Sequence, residues 1–190
     1  LSPTTRTVRA GIEIDRAHGS VVPPIYLSTN YAFASIDTPP AFDYSRAGNP
    51  TRSILADALA DLEGGAGAVV TGSGMAAVTL CLAAFVPEGA TLMVPHDCYG
   101  GSWRLFDALG RKGQYRLVIS DFTAPDAAAR IAAERPALVW IETPSNPLLR
   151  LTDLRAISDA AHAAGALVAV DNTFCSPVLQ RPIEHGADLV

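Results

Sequence analysis

A mainly parallel α/β fold, one sheet with helices on both faces and an extended arm in front of it, is predicted by three observations. Short apolar runs alternate with helix-length segments from residue 68 onward, several of those runs stop abruptly in a carboxylate or a Gly/Pro turn, and the first fifty residues carry turn chemistry with little helical periodicity. Strand and helix in alternation make βαβ units, whose right-handed crossovers lay parallel strands side by side. The predicted division is an arm over residues 1–50, contacting a neighbouring subunit, and a large domain over residues 51–190.

In the arm, Val21-Val22-Pro23-Pro24, Thr38-Pro39-Pro40 and Gly48-Asn49-Pro50 interrupt any regular run. A segment this long without regular structure is usually functional or a partner contact. Tyr44 and Arg46 lie two apart and share one side if the backbone there is extended. Thr51 is the predicted cap of a helix in which Ile54, Leu55, Ala58, Leu59 and Leu62 recur at helical spacing, and Gly64-Gly65 ends it.

Strands are predicted at 68–71, 91–94, 116–120, 137–142 and 166–171, and helices at 75–85, 102–109, 126–134 and 152–164. The last strand, Ala166-Leu167-Val168-Ala169-Val170-Asp171, is uncharged until its final residue. That pattern reads as a buried parallel strand delivering Asp171 to the carboxyl edge of the sheet, where open α/β sheets bind ligands. A carboxylate there suits a protonated ring nitrogen, a metal or a ribose; the plainer alternative is an Asp capping the next turn.

Composition narrows the function classes. The chain of 190 residues is 49% hydrophobic and 17% charged with a net charge of -5, a globular chain and not a nucleic-acid binder. Cys81, Cys98 and Cys175 are odd in number and far apart, as reduced thiols in a cytoplasm would be. No charge occurs from Gly64 to Pro87, but Gly72-Ser73-Gly74 in the middle makes this a strand, a turn and a helix instead of a membrane span. No basic-then-apolar leader precedes the arm. The only lysine is Lys112, and the last residues, Ala187-Asp188-Leu189-Val190, read as a strand being entered; together these suggest a piece of a longer protein.

Three carboxyl-edge loops carry candidate chemistry. Thr71-Gly72-Ser73-Gly74-Met75 joins a strand to a helix, and glycines with unpaired N–H groups at a helix start suit a phosphate. The same turn fits G-x-G-x-x-A, so an NAD(P)-binding oxidoreductase is a rival; that fingerprint wants an acid at the end of the next strand, and Asp97 falls slightly late. Tyr99, before Gly100-Gly101, has room in front of its ring for a flat cofactor to stack. Arg104, in the first turns of the following helix, is an anion contact or an ordinary exposed residue. Asn146 sits between Pro144 and Pro147, which orients either a ligand or a turn. His96, Asp97 and Cys98 are adjacent, a poor spacing for zinc, and no Gly-x-Ser-x-Gly elbow supports a serine hydrolase. A phosphate cup, an aromatic face and a carboxylate describe a site for a planar, phosphorylated, nitrogen-containing ring such as pyridoxal phosphate.

Tyr44-Ser45-Arg46-x-Gly48-Asn49-Pro50-Thr51, Gly72-Ser73-Gly74-Met75, Asp97-x-Tyr99-Gly100-Gly101, Glu142-x-Pro144-x-Asn146-Pro147 and Val170-Asp171-Asn172-Thr173 resemble the pyridoxal-phosphate enzymes of cysteine and methionine metabolism. The resemblance implies fold type I, an aspartate-aminotransferase-like large domain. It also implies a homo-oligomer, a tetramer built from dimers that share active sites. Ser73, Gly74 and Met75 would hold the cofactor phosphate, with Tyr44 and Arg46 reaching the phosphate of a neighbouring subunit. Tyr99, the one catalytic residue expected within the chain, would stack on the pyridine ring. Asn146 would lie near the ring hydroxyl, Thr173 would support the ring, and Asp171 would keep its nitrogen protonated. Tyr44, Tyr99, Arg104 and Asn146 would face the substrate, Arg104 as a carboxylate contact.

The family's Schiff-base lysine lies in a Ser-x-Thr-Lys motif shortly after Gly186-Ala187-Asp188-Leu189, past the last residue, and Lys112 matches no such position. The 190 residues alone are therefore expected to be inactive. Within the family, Val94 to Asp107 looks most like cystathionine γ-synthase, which joins cysteine to an O-acylhomoserine. Ala47, where some synthases carry a second Arg, keeps cystathionine γ-lyase close behind, and sulfhydrylase, β-lyase and methionine γ-lyase share the same cradle.

Overall fold

The computed structural model describes all residues from Leu1 to Val190, in two compact units, Leu1–Val70 and Thr71–Val190. Each is described by itself.

The second unit holds a four-stranded parallel sheet. Its strands are β1 (Thr91–Pro95), β2 (Arg116–Ser120), β3 (Leu138–Glu142) and β4 (Leu167–Asp171), in the order β2-β1-β3-β4. Helix α3 (Gly74–Phe85) precedes β1, and between the strands run α4 (Gly100–Arg111), α5 (Ala127–Glu134) and α6 (Leu154–Ala163). Successive strand residues point to opposite faces, and both faces are covered. Met93, Val139, Ile141, Val168 and Val170 pack with Ile131 of α5 and Ile157 and Ala161 of α6. Leu92, Val94, Leu138, Trp140 and Ala169 pack with Val78 and Leu82 of α3 and Phe106 of α4. Trp140 meets Phe106 edge to face, with ring centroids 5.5 Å apart. Every residue of β3 is buried, whereas the edge strand β2 leaves Ile119 43% exposed. This is the predicted α/β sheet with helices on both faces.

The predicted strand at 68–71 does not form. The run pairs with no strand, and Val69 is 74% exposed. An apolar run becomes a strand only when a ladder takes up its N–H and C=O groups, and here none does. After β4 the chain adds a one-turn helix α7 (Ser176–Leu179) and a 3₁₀ turn (Pro182–His185). It then returns to the sheet, where Leu189 bridges Ala169 in parallel and Val170 N–H donates to Leu189 O at 2.9 Å.

The first unit contains α1 (Pro3–Arg9) and α2 (Pro50–Glu63), and none of its side chains is fully buried. Helix α1 departs from the expectation of an arm without regular structure: Ser2 Oγ accepts from Thr5 N–H, and Pro3 occupies the first turn. Asn49, not Thr51, caps α2, its Oδ1 accepting from the N–H groups of Thr51 and Arg52 at 2.9 and 3.3 Å. Pro50 then stands where a missing N–H costs nothing. Gly64 closes the helix at φ 76°, a left-handed conformation that glycine adopts without strain. Thr51 instead uses its hydroxyl to accept from Tyr26 N–H at 2.9 Å, and Asn49 Nδ2 donates to Tyr26 O at 3.0 Å. These polar bonds fold the chain back along the start of α2.

Candidate functional site

Asp171 is the last residue of β4, in register with Glu142 at the end of β3. Parallel strands put both carboxylates on the same edge. Asp171 Oδ1 accepts from the N–H of Thr173 at 3.1 Å and from its hydroxyl, while Oδ2 has no partner in the chain. The capping and ligand-pairing alternatives are thus divided between two oxygens. One is anchored by the turn; the other is open to a donor. Thr173 itself is exposed and orients the carboxylate.

The phosphate-cup residues open α3. Ser73 is its N-cap, with Oγ accepting from Ala76 N–H at 3.2 Å. The N–H groups of Gly74 and Met75 have no acceptor in the chain. They lie at the positive end of a twelve-residue helix, where an anion gains from both the hydrogen bonds and the dipole. A Cβ placed on Gly72 or Gly74 would meet nothing within 4 Å, so the turn leaves open space in front of these donors.

Tyr99 precedes α4 and is 44% exposed. Its ring lies over Gly101: a Cβ there would stand 2.4 Å from Tyr99 Cε1 and 3.1 Å from Met75 Sδ. Gly101 is required because only a residue without Cβ lets the ring lie this close. The same contact brings the aromatic face beside the start of α3. Arg104 is exposed one turn into α4, with Nη1 3.4 Å from the Cβ position of Gly100. Lys112 follows the other end of α4, about 18 Å from Tyr99 along a twelve-residue helix.

Asn146 lies in the loop after β3, where Thr143-Pro144 and Asn146-Pro147 are both cis. Its side-chain amide bonds to nothing in the chain, but its N–H donates to Glu142 Oε1 at 2.8 Å. The other oxygen of Glu142 accepts from Tyr99 N–H at 2.7 Å. Glu142 is 6% exposed, and burial pushes its carboxyl above the ordinary range, against the pull of the two backbone bonds. A few residues away, Ser145 Oγ donates to Asp97 Oδ2 at 2.7 Å. Arg150 donates to Asp121 Oδ2 at 2.8 Å and meets His96 Nε2 at 2.8 Å. Hydrogen bonds from Thr123 and Arg150 hold the Asp121 carboxyl well below the usual range. Sequence reasoning missed Glu142 and Gly101 as site residues. Their signals were an acid closing an otherwise apolar strand, and a second glycine after Tyr99.

Tyr44 and Arg46 belong to the first unit. The segment is a turn, not extended, with the N–H groups of Ala47 and Gly48 both donating to Tyr44 O at 3.0 Å. The two side chains still meet: Arg46 Nη2 donates to Tyr44 Oη at 2.9 Å, and the guanidinium lies 5.2 Å from the ring centre. The turn also returns Arg52 Nη1 to Ser45 O at 3.0 Å. A preformed pair of phenol and guanidinium offers N–H and O–H donors to an oxyanion.

The second unit therefore gathers Ser73, Gly74, Met75, Tyr99, Arg104, Asn146, Asp171 and Thr173 on its carboxyl-edge loops and the helix starts beside them. Their chemistry fits pyridoxal phosphate: two unpaired N–H groups at a helix start for a phosphate, an exposed aromatic face for a ring, and a carboxylate oxygen without a partner for a ring N–H.

Comparisons with known proteins agree. The model of the Cys/Met metabolism PLP-dependent enzyme family matches residues 4–190. Cystathionine gamma-synthase of Escherichia coli K12 is 52% identical over 186 residues, 98% of this chain and 48% of that protein. Cystathionine beta-lyase of Lactococcus lactis subsp. cremoris is 41% identical over 98% of this chain and 49% of its own. The crystal structure of cystathionine gamma synthase from Xanthomonas oryzae pv. oryzae in complex with cystathionine superposes with a TM-score of 0.97 at 54% identity, covering 100% of this chain and 49% of that one. The chain spans about half the length of these relatives. The match also removes the NAD(P)-binding oxidoreductase as a rival. The chain belongs to the PLP-dependent enzymes of cysteine and methionine metabolism.

Proposed function

We propose that this chain is part of a PLP-dependent transsulfuration enzyme that replaces the acyloxy group at Cγ of an O-acylhomoserine with the thiol of cysteine, giving cystathionine and a carboxylic acid. The observation that carries the reading is the Tyr99 ring over Gly101, with Met75 Sδ at the same position, beside the two unpaired N–H groups that open α3. The identity of 52–54% to cystathionine γ-synthases favours the synthase over other members.

When bound, pyridoxal phosphate supplies an electron sink for a carbanion on the amino-acid substrate. The chain's residues prepare that site. Ser73, Gly74 and Met75 bind the phosphate, and Tyr44 and Arg46 of the arm, residues 1–50, reach the phosphate of a neighbouring subunit. Tyr99 covers one face of the ring. Asp171 Oδ2 accepts the ring N–H and keeps the nitrogen protonated, while Thr173 holds the carboxylate in place. Asn146 faces the ring hydroxyl, and Arg104 receives a substrate carboxylate. The enzyme is a homotetramer built from dimers that share active sites, in a reducing cytoplasm, with a large domain beginning at residue 51. Its cofactor-bearing lysine lies outside these 190 residues, which alone do not turn over.

The first test is the visible absorption of the natural full-length protein before and after borohydride. A yellow band that borohydride bleaches, leaving the cofactor's mass on a lysine, is expected. A protein that stays colourless with added pyridoxal phosphate would sink the reading. Cystathionine γ-lyase is the second reading, favoured by Ala47. Cysteine with an O-acylhomoserine gives cystathionine from a synthase, whereas a lyase breaks cystathionine to cysteine, 2-oxobutanoate and ammonia.

A further inference from the structure

We infer that Glu142 is a positioning residue, whose buried carboxylate fixes the loop carrying Tyr99 against the loop carrying Asn146 and so sets the aromatic face relative to Asp171. Strands β1 and β3 are neighbours, and the loops that follow them stand side by side at the sheet edge. Glu142 closes β3, in register with Asp171, and gives one oxygen to each loop: Oε2 to Tyr99 N–H at 2.7 Å and Oε1 to Asn146 N–H at 2.8 Å.

Glu142 is 6% exposed and forms no ion pair, although a buried carboxylate is costly unless it is compensated. The two backbone N–H groups, on two different loops, are its compensation. Only a carboxylate accepts on both oxygens; a glutamine of the same shape would turn an N–H₂ toward one of the two donors. A second bond spans the same pair of loops, Ser145 Oγ to Asp97 Oδ2 at 2.7 Å, with the Asp97 side chain 10% exposed. Two bonds at separate points prevent one loop from pivoting on the other. Both Glu142 oxygens are taken by backbone N–H groups, so it acts through the backbone of Tyr99 and Asn146, the residues proposed to meet the ring. The inference rests on the proposed stacking role of Tyr99.

The test uses the full-length protein and its Glu142→Gln and Ser145→Ala variants, with pyridoxal phosphate as the probe. Glu142→Gln should weaken cofactor binding about tenfold. It should also lower the visible circular dichroism per bound cofactor and speed amide exchange at Tyr99 and Asn146 in the cofactor-free protein. Ser145→Ala should move the same three readouts by less, and it carries the test alone if Glu142→Gln does not fold. Wild-type affinity, dichroism and exchange in the variants would overturn the inference. So would a lowered melting temperature with unchanged dichroism per bound cofactor, the mark of a merely structural residue. If the wild-type protein itself takes up no cofactor, it is the proposed function that falls, whereas normal wild-type binding with unaltered variants removes Glu142 alone.

Discussion

The two units of this chain are ordered by different physics. In residues 71–190 order comes from burial: alternate residues of β1, β3 and β4 fill two cores, and every residue of β3 is enclosed. In residues 1–70 nothing is fully buried, and order comes from a few polar side chains, chiefly Asn49, Thr51 and Arg52, which tie backbone groups far apart in sequence. That unit also exposes Ile36 at 93%, Leu27 at 89% and Ile25 at 76%. Burial makes a region robust to many surface changes, whereas polar stitching concentrates stability in single residues. An arm that leaves so much apolar surface uncovered suits the proposed contact with a neighbouring subunit.

The largest effect expected from breaking this arrangement is on chemistry. Asp171→Ala in the complete protein removes the open carboxylate oxygen from the sheet edge and should cut turnover by about 10²–10³-fold, as losing one preorganised electrostatic group does. The fold should persist, checked by far-UV circular dichroism beside the rate assay. Unchanged activity would remove the central role given to this residue.

Stability changes come next and separate the two units directly. Leu138 is completely buried beneath α3 and α4, so Leu138→Ala should cost about 2–5 kcal/mol in denaturant unfolding. Leu59 of α2 is 40% exposed, and Leu59→Ala should cost less than about 1 kcal/mol. In the polar unit the sensitive position is the cap. Asn49→Ala loses both N-cap bonds and the link to Tyr26 O, and should cost about 0.5–2 kcal/mol, more than the apolar substitution ten residues later. Equal costs for Asn49 and Leu59 would erase the contrast.

The same contrast explains what could be read from sequence. Strands β1 to β4 and helices α3 to α6 follow from the period and length of apolar runs, because burial on both sheet faces writes that period into the chain. Asp171 was legible as a carboxylate ending such a run. The strand expected at 68–71 failed on the same logic, since apolarity reports a preference for burial but not the presence of a ladder partner. Around Tyr44, the two-residue spacing put Tyr44 and Arg46 on one side only for an extended backbone; the segment is a turn, and the two side chains meet across it. The cap of α2 depended on which of Asn49 and Thr51 stood before Pro50. Glu142 and Gly101 had local signals, an acid closing an apolar strand and a second glycine after Tyr99, but not their roles: Glu142 acts through a backbone N–H 43 residues away, and Gly101 through an empty Cβ position under a ring.

The smallest effect expected distinguishes the units by the sign of their carboxylate linkage. Asp15, in the first unit, accepts from the Ser20 hydroxyl at 2.6 Å, from Ala17 N–H at 2.9 Å and from Ser20 N–H at 3.2 Å. These bonds lower its pKa from 3.8 to about 2. Its contribution to folding is therefore present above the ordinary value and lost as pH falls through about 2. Glu142 runs the other way. Burial raises its pKa above 4.5, so its ionised form opposes folding once pH rises past that value, and acid relieves it. A carboxyl-carbon NMR titration should find Asp15 at about 2 and Glu142 above 4.5, with Ser20→Ala moving only the first of them, upward. Should Asp15 titrate at its ordinary value in the wild-type protein, the polar stitching of the first unit would be weaker than its hydrogen bonds imply, and the contrast between the units would rest on burial alone.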